Sequence, residues 1–221
     1  MRIKMKKIFL ALALATAIYF WGCEKATEID ETGKVTAKEY VDEVLQKARL
    51  DFSADAQLAA IYGWNINLEG KVDLLETTNA LVYVVQSNQL QENEFYVPVF
   101  AAGPTRSPIN FTSMLSLVKD TTAGDILDKV FGRLATLSID PTASYNDSPA
   151  AVDTALKHGG NAFMAVNNNV HIDMFLLPSK SIDTTLTINN SADWIVNFYN
   201  DTKSLVLWIR SNGGVTQLSG N

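Results

Sequence analysis

The sequence predicts an α+β fold of two similar units, each an amphipathic helix packed on an antiparallel sheet. Three observations predict it. Apolar residues recur at helical spacing in two stretches, 41–52 and 152–163. Each member of the second stripe follows a member of the first by 111 residues: 41 to 152, 44 to 155, 45 to 156, 48 to 159 and 52 to 163. Short runs rich in Ile, Val, Tyr and Trp, separated by Gly, Pro and Asn turn signals, follow each stripe, so both halves run helix, strand, turn, hairpin.

Residues 1–22 read as an export signal that stands outside this fold. Arg2, Lys4, Lys6 and Lys7 precede an uninterrupted apolar run over 8–20, too short to span a bilayer comfortably. The run ends in Phe20-Trp21-Gly22-Cys23, and a small residue directly before a cysteine is what lipoprotein signal peptidase and thiol lipidation require. The segment resembles a bacterial lipobox, with Trp21 where a small residue is usual and Phe20 where Leu is commoner. Lipidation of Cys23 places the protein in the cell envelope, lipid-anchored outside the cytoplasm on the periplasmic or outer-membrane side. Cys23 is also the only cysteine, so no thiol remains for a disulfide and stability has to come from the core. Loss of the leader's four cations leaves 14 of 18 basic residues against 24 acidic ones, a net charge of −10. That excess argues against nucleic acid and against attraction to anionic lipid, so the expected membrane contact is the lipid alone.

Residues 23–35 are polar and aperiodic, a tether. The first unit, 36–118, opens with a capping box at Thr36 and Glu39 and a hydrophobic staple between Val35 and Tyr40. Its helix carries Val41, Val44, Leu45, Ala48 and Phe52. Strands are expected over 58–68, 81–85 and 95–100, the last with Pro98 at an edge or bulge. Gly103-Pro104 and Ser107-Pro108 mark a break, and a fourth strand is expected over 109–118. In the connecting segment, 119–146, Ile126, Leu127, Val130, Phe131 and Leu134 again have helical spacing, and Pro141 ends that helix or its following turn.

The second unit, 147–221, begins at Asp147-Ser148-Pro149, an N-cap candidate with proline at the first helical position. Strands are expected over 170–177, 194–199 and 205–210, with a long polar hairpin or loop at 178–190 and turns at 200–203 and 211–214. Asp147, Ser148, Ala151, Ala155, Gly159, Gly160 and Phe163, followed by Asp193-Trp194-Ile195-Val196, Phe198-Tyr199 and an apolar strand ending in a Gly turn, resemble the PepSY-like modules. These α+β units occur in propeptides of secreted metallopeptidases and in exported bacterial lipoproteins. The resemblance covers 147–215 and, more weakly, 36–118; Arg210-Ser211-Asn212-Gly213-Gly214 stands where an acidic-x-Thr-Gly ending is usual. It implies a non-catalytic domain that binds or restrains peptidases.

The chemistry visible in the residues is sparse. His158, in Lys157-His158-Gly159-Gly160, reads as a base near the last carbonyls of a helix. His171 shares a strand face with Asp173, too few ligands for a zinc site. Catalytic and nucleotide motifs are missing, so no enzyme, cofactor or metal is expected. The Asn-rich stretches at 167–169 and 189–191 lack the acidic spacing of a calcium loop. Alternation places Trp194, Val196 and Phe198 with Leu205, Leu207 and Ile209 on a wholly apolar face that should hold the helix. The other face carries Tyr199, Trp208 and Arg210, either packed on the first unit or exposed as a binding face of the kind these residue types favour. The expected role is a non-catalytic, lipid-anchored extracytoplasmic module that binds protein or peptide. A small-molecule or glycan binder using the aromatic face is the competing class.

Overall fold

A computed structural model describes residues 32–117, 121–134, 136–187 and 190–220. The signal 1–22, Cys23, most of the tether and Asn189 lie outside the described residues. Lys34–Val35 (β1) and Val72–Asp73 (β3) pair as a small antiparallel ribbon. Eight further strands are Gln57–Trp64 (β2), Ala80–Ser87 (β4), Glu92–Val99 (β5), Gly103–Ser107 (β6), His171–Pro178 (β7), Ala192–Tyr199 (β8), Ser204–Ile209 (β9) and Val215–Gly220 (β10). They form one sheet in the order β10-β9-β8-β7-β2-β4-β5-β6, antiparallel throughout. The fold is therefore mixed α+β, but the strands of the two halves share one sheet where the sequence suggests a sheet for each unit. The reason lies in β2 and β7. Both are buried along most of their length, and a long apolar strand at an edge would expose an unpaired ladder. Pairing Ile61 with Leu176, Tyr62 with Phe175 and Gly63 with Met174 removes both edges at once.

Helices cover the two faces. Val41–Asp51 (α1) and Ser148–Ala155 (α4) lie on one; Phe111–Leu117 (α2) and Thr121–Leu134 (α3) lie on the other. On the first face Val44, Ala48, Val152 and Ala155 pack with Tyr83, Val85, Tyr96, Trp194, Val196, Phe198, Leu205 and Leu207, so the apolar side of β8 and β9 holds the helix as expected. On the second, Met114, Leu127, Val130, Phe131 and Leu134 pack with Tyr62, Val84, Phe95, Phe175, Ile195 and Val206. Tyr62 and Phe175 stack at 4.5 Å across the β2–β7 seam. Each fully buried Leu, Val or Phe contributes roughly 1.5–3 kcal/mol, a core that needs no crosslink.

Helix starts follow local chemistry. The Thr36 N–H donates to Glu39 Oε2 at 3.1 Å, half of the capping box, and Val35 and Tyr40 are both buried, although regular helix begins only at Val41. Asp147 caps α4 by accepting the Ser148 N–H at 2.7 Å, with Pro149 in the first turn. This second helix does not end at its glycines. It passes through a π-type turn, Leu156–Gly160, kinked at His158 (φ −105°) and Gly159 (φ +128°), and resumes as Asn161–Val166 (α5). A short helix, Ser179–Ile182 (α6), lies in the polar loop after β7.

The expected strand over 109–118 is instead helix α2, and the fourth strand is β6, 103–107. Asn110 explains the first point: its side chain accepts the Ser113 N–H at 2.9 Å, an N-cap that starts a helix. The glycine read as a break explains the second, because Ala101 (φ +58°) and Gly103 (φ +73°) make a tight β5–β6 hairpin turn. Pro98 lies beyond Tyr83↔Tyr96, the last β4–β5 pair, and opposes Pro104 on the outermost strand, where a missing donor costs little.

Candidate functional site

Residues 138–147, between α3 and α4, return across the α1 side of the sheet, where Ile139, Ala143 and Tyr145 join the core. The segment is pinned at both ends. At one end the Ile139 N–H donates to the Leu58 carbonyl at 2.6 Å and the Ser138 hydroxyl to Gln57 Oε1 at 2.6 Å. At the other, Lys38 Nζ donates to the Tyr145 carbonyl at 2.6 Å and lies 4.2 Å from its ring centre. Asp147 accepts the Lys38 N–H and Ser148 the Ala37 N–H, each at 3.0 Å, which ties the starts of α1 and α4 together.

Between the pins a cleft of about 530 Å³ opens against α1. Its floor is apolar, from Val41, Leu45, Leu58 and Ile139; Tyr145 and Pro141 form a wall, and Asp42, Gln46, Arg49, Gln57 and Asp140 form the rim. A concavity with an apolar floor and few polar groups is the usual form of a binding site. Burial pushes the Tyr145 hydroxyl up to about 12, helped by Asp147 and Asp42, so it stays a neutral donor. Asp140 is held below the usual carboxylate range by the Thr142 hydroxyl and N–H. Asp42 and Arg49 are exposed and make no ion pair among the described residues. A second hollow, of about 520 Å³ beside β5 and β6, is lined by Arg106 and Glu94, which neutralise each other.

Of the residues singled out in the sequence, Trp208 and Arg210 come together, the guanidinium 4.0 Å from the ring centre. Trp208 Nε1 donates to Asp193 at 3.1 Å, and Arg210 donates to Thr216 Oγ1 at 2.9 Å. Tyr199 is on the same sheet face but at the far end of β8, paired with Ser204 and 5.6 Å from the His171 ring, whereas Trp208 lies opposite Ile195. Tyr199 is 3% and Trp208 9% exposed, so the three do not share an open surface. His171 and Asp173 are not joined directly. His171 Nδ1 lies 3.1 Å from Asn65 Oδ1, and buried Asp173 accepts the Asn65 N–H at 3.0 Å. His158 lies 2.8 Å from the Thr154 carbonyl, on the turn before the kink.

The cleft residues Asp42, Arg49, Ile139 and Tyr145 do not stand out in the sequence. Their signal is faint: polar positions i and i+7 beside the α1 stripe, and a Pro141 break that leaves its segment free to fold back. No helix among the described residues is long and apolar enough to cross a membrane. Compared with known proteins, the chain matches no family model, no curated protein and no solved structure.

Proposed function

We propose that the protein is a non-catalytic, lipid-anchored module of the cell envelope that holds a peptide or protein segment in the cleft between α1 and residues 139–145. The observation that carries this reading is the pairing of an apolar floor with two rim charges, Asp42 and Arg49, that make no ion pair among the described residues, in a concavity whose wall is fixed by hydrogen bonds at both ends. Peptides present that mixture of apolar side chains and regularly spaced polar groups. A peptidase is the partner class that the PepSY-like resemblance suggests, and the lipid on Cys23 would hold the module outside the cytoplasm.

The same proposal takes the two halves as related units. The 111-residue offset carries residues to the same side of the sheet: Tyr83 to Trp194, Val85 to Val196 and Tyr96 to Leu207 on the α1 side, Val84 to Ile195 and Phe95 to Val206 on the α3 side. Residues 111 apart also meet: Gly63 pairs with Met174, and Ala37 donates to Ser148. An approximate two-fold through the β2–β7 seam accounts for both.

Thermal-shift measurements on the detergent-solubilised full chain, with peptide and sugar libraries, test the function. Peptides that raise the midpoint for the native chain and not for Leu45→Glu would support it. Stabilisation by sugars alone would carry the glycan alternative, and no response to peptides would refute the reading. For the anchor, Cys23→Ser is expected to end incorporation of labelled fatty acid; continued labelling would overturn it.

A further inference from the structure

We infer that the cleft takes a free peptide of about three residues, reading its α-amine with Asp42 and its α-carboxylate with Arg49. The inference rests on the binding role proposed above and assigns that site a ligand class. Asp42, Leu45, Gln46 and Arg49 stand at i, i+3, i+4 and i+7, so all four share one face of α1, and all four line the cleft. At 1.5 Å per residue the two positions stand about 10.5 Å apart along the axis. An extended chain advances roughly 3.3–3.6 Å per residue, so about three residues separate an amine at one end from a carboxylate at the other.

Between those ends lie Leu45, Leu58 and Ile139, which suit an apolar central side chain, and the carboxamides of Gln46 and Gln57, which can serve the peptide groups. Arg49 is free to receive a carboxylate, since it makes no ion pair among the described residues; the neighbouring cations Lys38 and Lys47 are engaged with the Tyr145 carbonyl and with Asp51. A guanidinium takes a carboxylate through two parallel N–H donors. Asp140, the other carboxylate of the rim, accepts both Thr142 donors, and its charge disfavours acidic side chains in the ligand. A longer peptide in extended form places its termini too far apart to reach both residues, so the cleft selects short free peptides over longer extended ones.

Isothermal titration of the detergent-solubilised full chain with Ala-Leu-Ala tests this, comparing the free tripeptide with its N-acetylated and C-amidated forms. The free peptide should bind saturably, and each block should weaken it about tenfold or more, as loss of a charged hydrogen bond does. Arg49→Gln should weaken the free peptide by a similar factor and remove its response to amidation, and Asp42→Asn should remove the response to acetylation. Both positions are exposed, so the variants fold, and an unchanged melting midpoint checks it. If the two charges serve only the α1 dipole, the variants will shift the midpoint while free and blocked peptides bind alike, which would overturn the inference. Blocked or longer peptides that bind equally well and are lost in Leu45→Glu would overturn the zwitterion reading and leave the binding role intact. No peptide binding at all would sink both.

Discussion

Replacing Gly160 by alanine sets two magnitudes against each other. The Gly160 backbone is already helical (φ −58°, ψ −44°), so alanine brings no backbone strain and adds about 1 kcal/mol of helix propensity. Against this, an added Cβ would stand 2.5 Å from Phe198 Cζ and within 3.0 Å of both Cε atoms. Phe198 is fully buried on β8, flanked by β7 and β9, so its ring cannot swing aside. Overpacking of this kind costs about 1–3 kcal/mol, and three contacts at or below 3.0 Å place it at the upper end. The expected net effect of Gly160→Ala is a destabilisation of about 2 kcal/mol by that balance. Urea unfolding reads it directly. Phe198→Leu, which removes ring volume, also destabilises, but the double variant should recover about 1–2 kcal/mol relative to the sum, within the coupling range of touching residues. A stabilised Gly160→Ala, or a cycle additive to within about 0.5 kcal/mol, would refute the close approach of helix and strand.

Phe163, on the α5 side of the kink, is half-buried against the same core, so Phe163→Ala should cost about 2 kcal/mol, below the range for a fully buried ring. Asp153→Ala breaks only the exposed pair with Lys157 and should stay within about 0.5 kcal/mol; equal effects at the two sites would contradict the assigned faces. Asp55 accepts hydrogen bonds from Ser53, Ser87 and the Gln89 N–H, which hold its pKa at about 2. A lowered folded pKa means that the unfolded chain binds the proton first, so its contribution is present above the ordinary value of 3.8 and is lost as pH falls towards about 2. Asp55→Asn should flatten the pH dependence of the urea midpoint in that window, and an unchanged slope would refute the assignment.

Much of the architecture was legible because it rests on periodicity. The α1 and α4 stripes, the α3 helix and the apolar side of β8 and β9 are patterns of burial, and burial is what alternation and 3.6-residue spacing encode. The strand placed over 109–118 failed where a single cap decided the outcome: Asn110 reaching Ser113 converts an apolar run into helix, while Gly103 turns a supposed break into a hairpin. The joining of β2 to β7 was hidden for another reason. Strand partners distant in sequence leave no local mark, and only the burial-prone runs 58–63 and 174–177, which have no charged residue, hint that neither strand can stand at an edge. The cleft was hidden likewise, since Asp42 and Arg49 look like ordinary helix-end charges until residues 139–145 fold back beside them. The aromatic residues drew attention by type, but Trp208 spends its N–H on Asp193 and Tyr199 sits a strand-length away.

The β2–β7 seam bears on the order of events as the chain is made. Within each half the strands follow one another as hairpins and can zip up locally; the seam alone waits for a partner more than a hundred residues later in the sequence. Closing so long a loop adds little to the equilibrium cost but delays the contact. A chain delivered N-terminus first would therefore hold Ile61, Tyr62 and Gly63 with one side of their ladder open until residues 174–176 arrive. Any stall in that interval leaves an apolar strand ready to pair with another copy, and the pace at which the second half follows the first, more than the depth of the native minimum, would set how much protein reaches its final form.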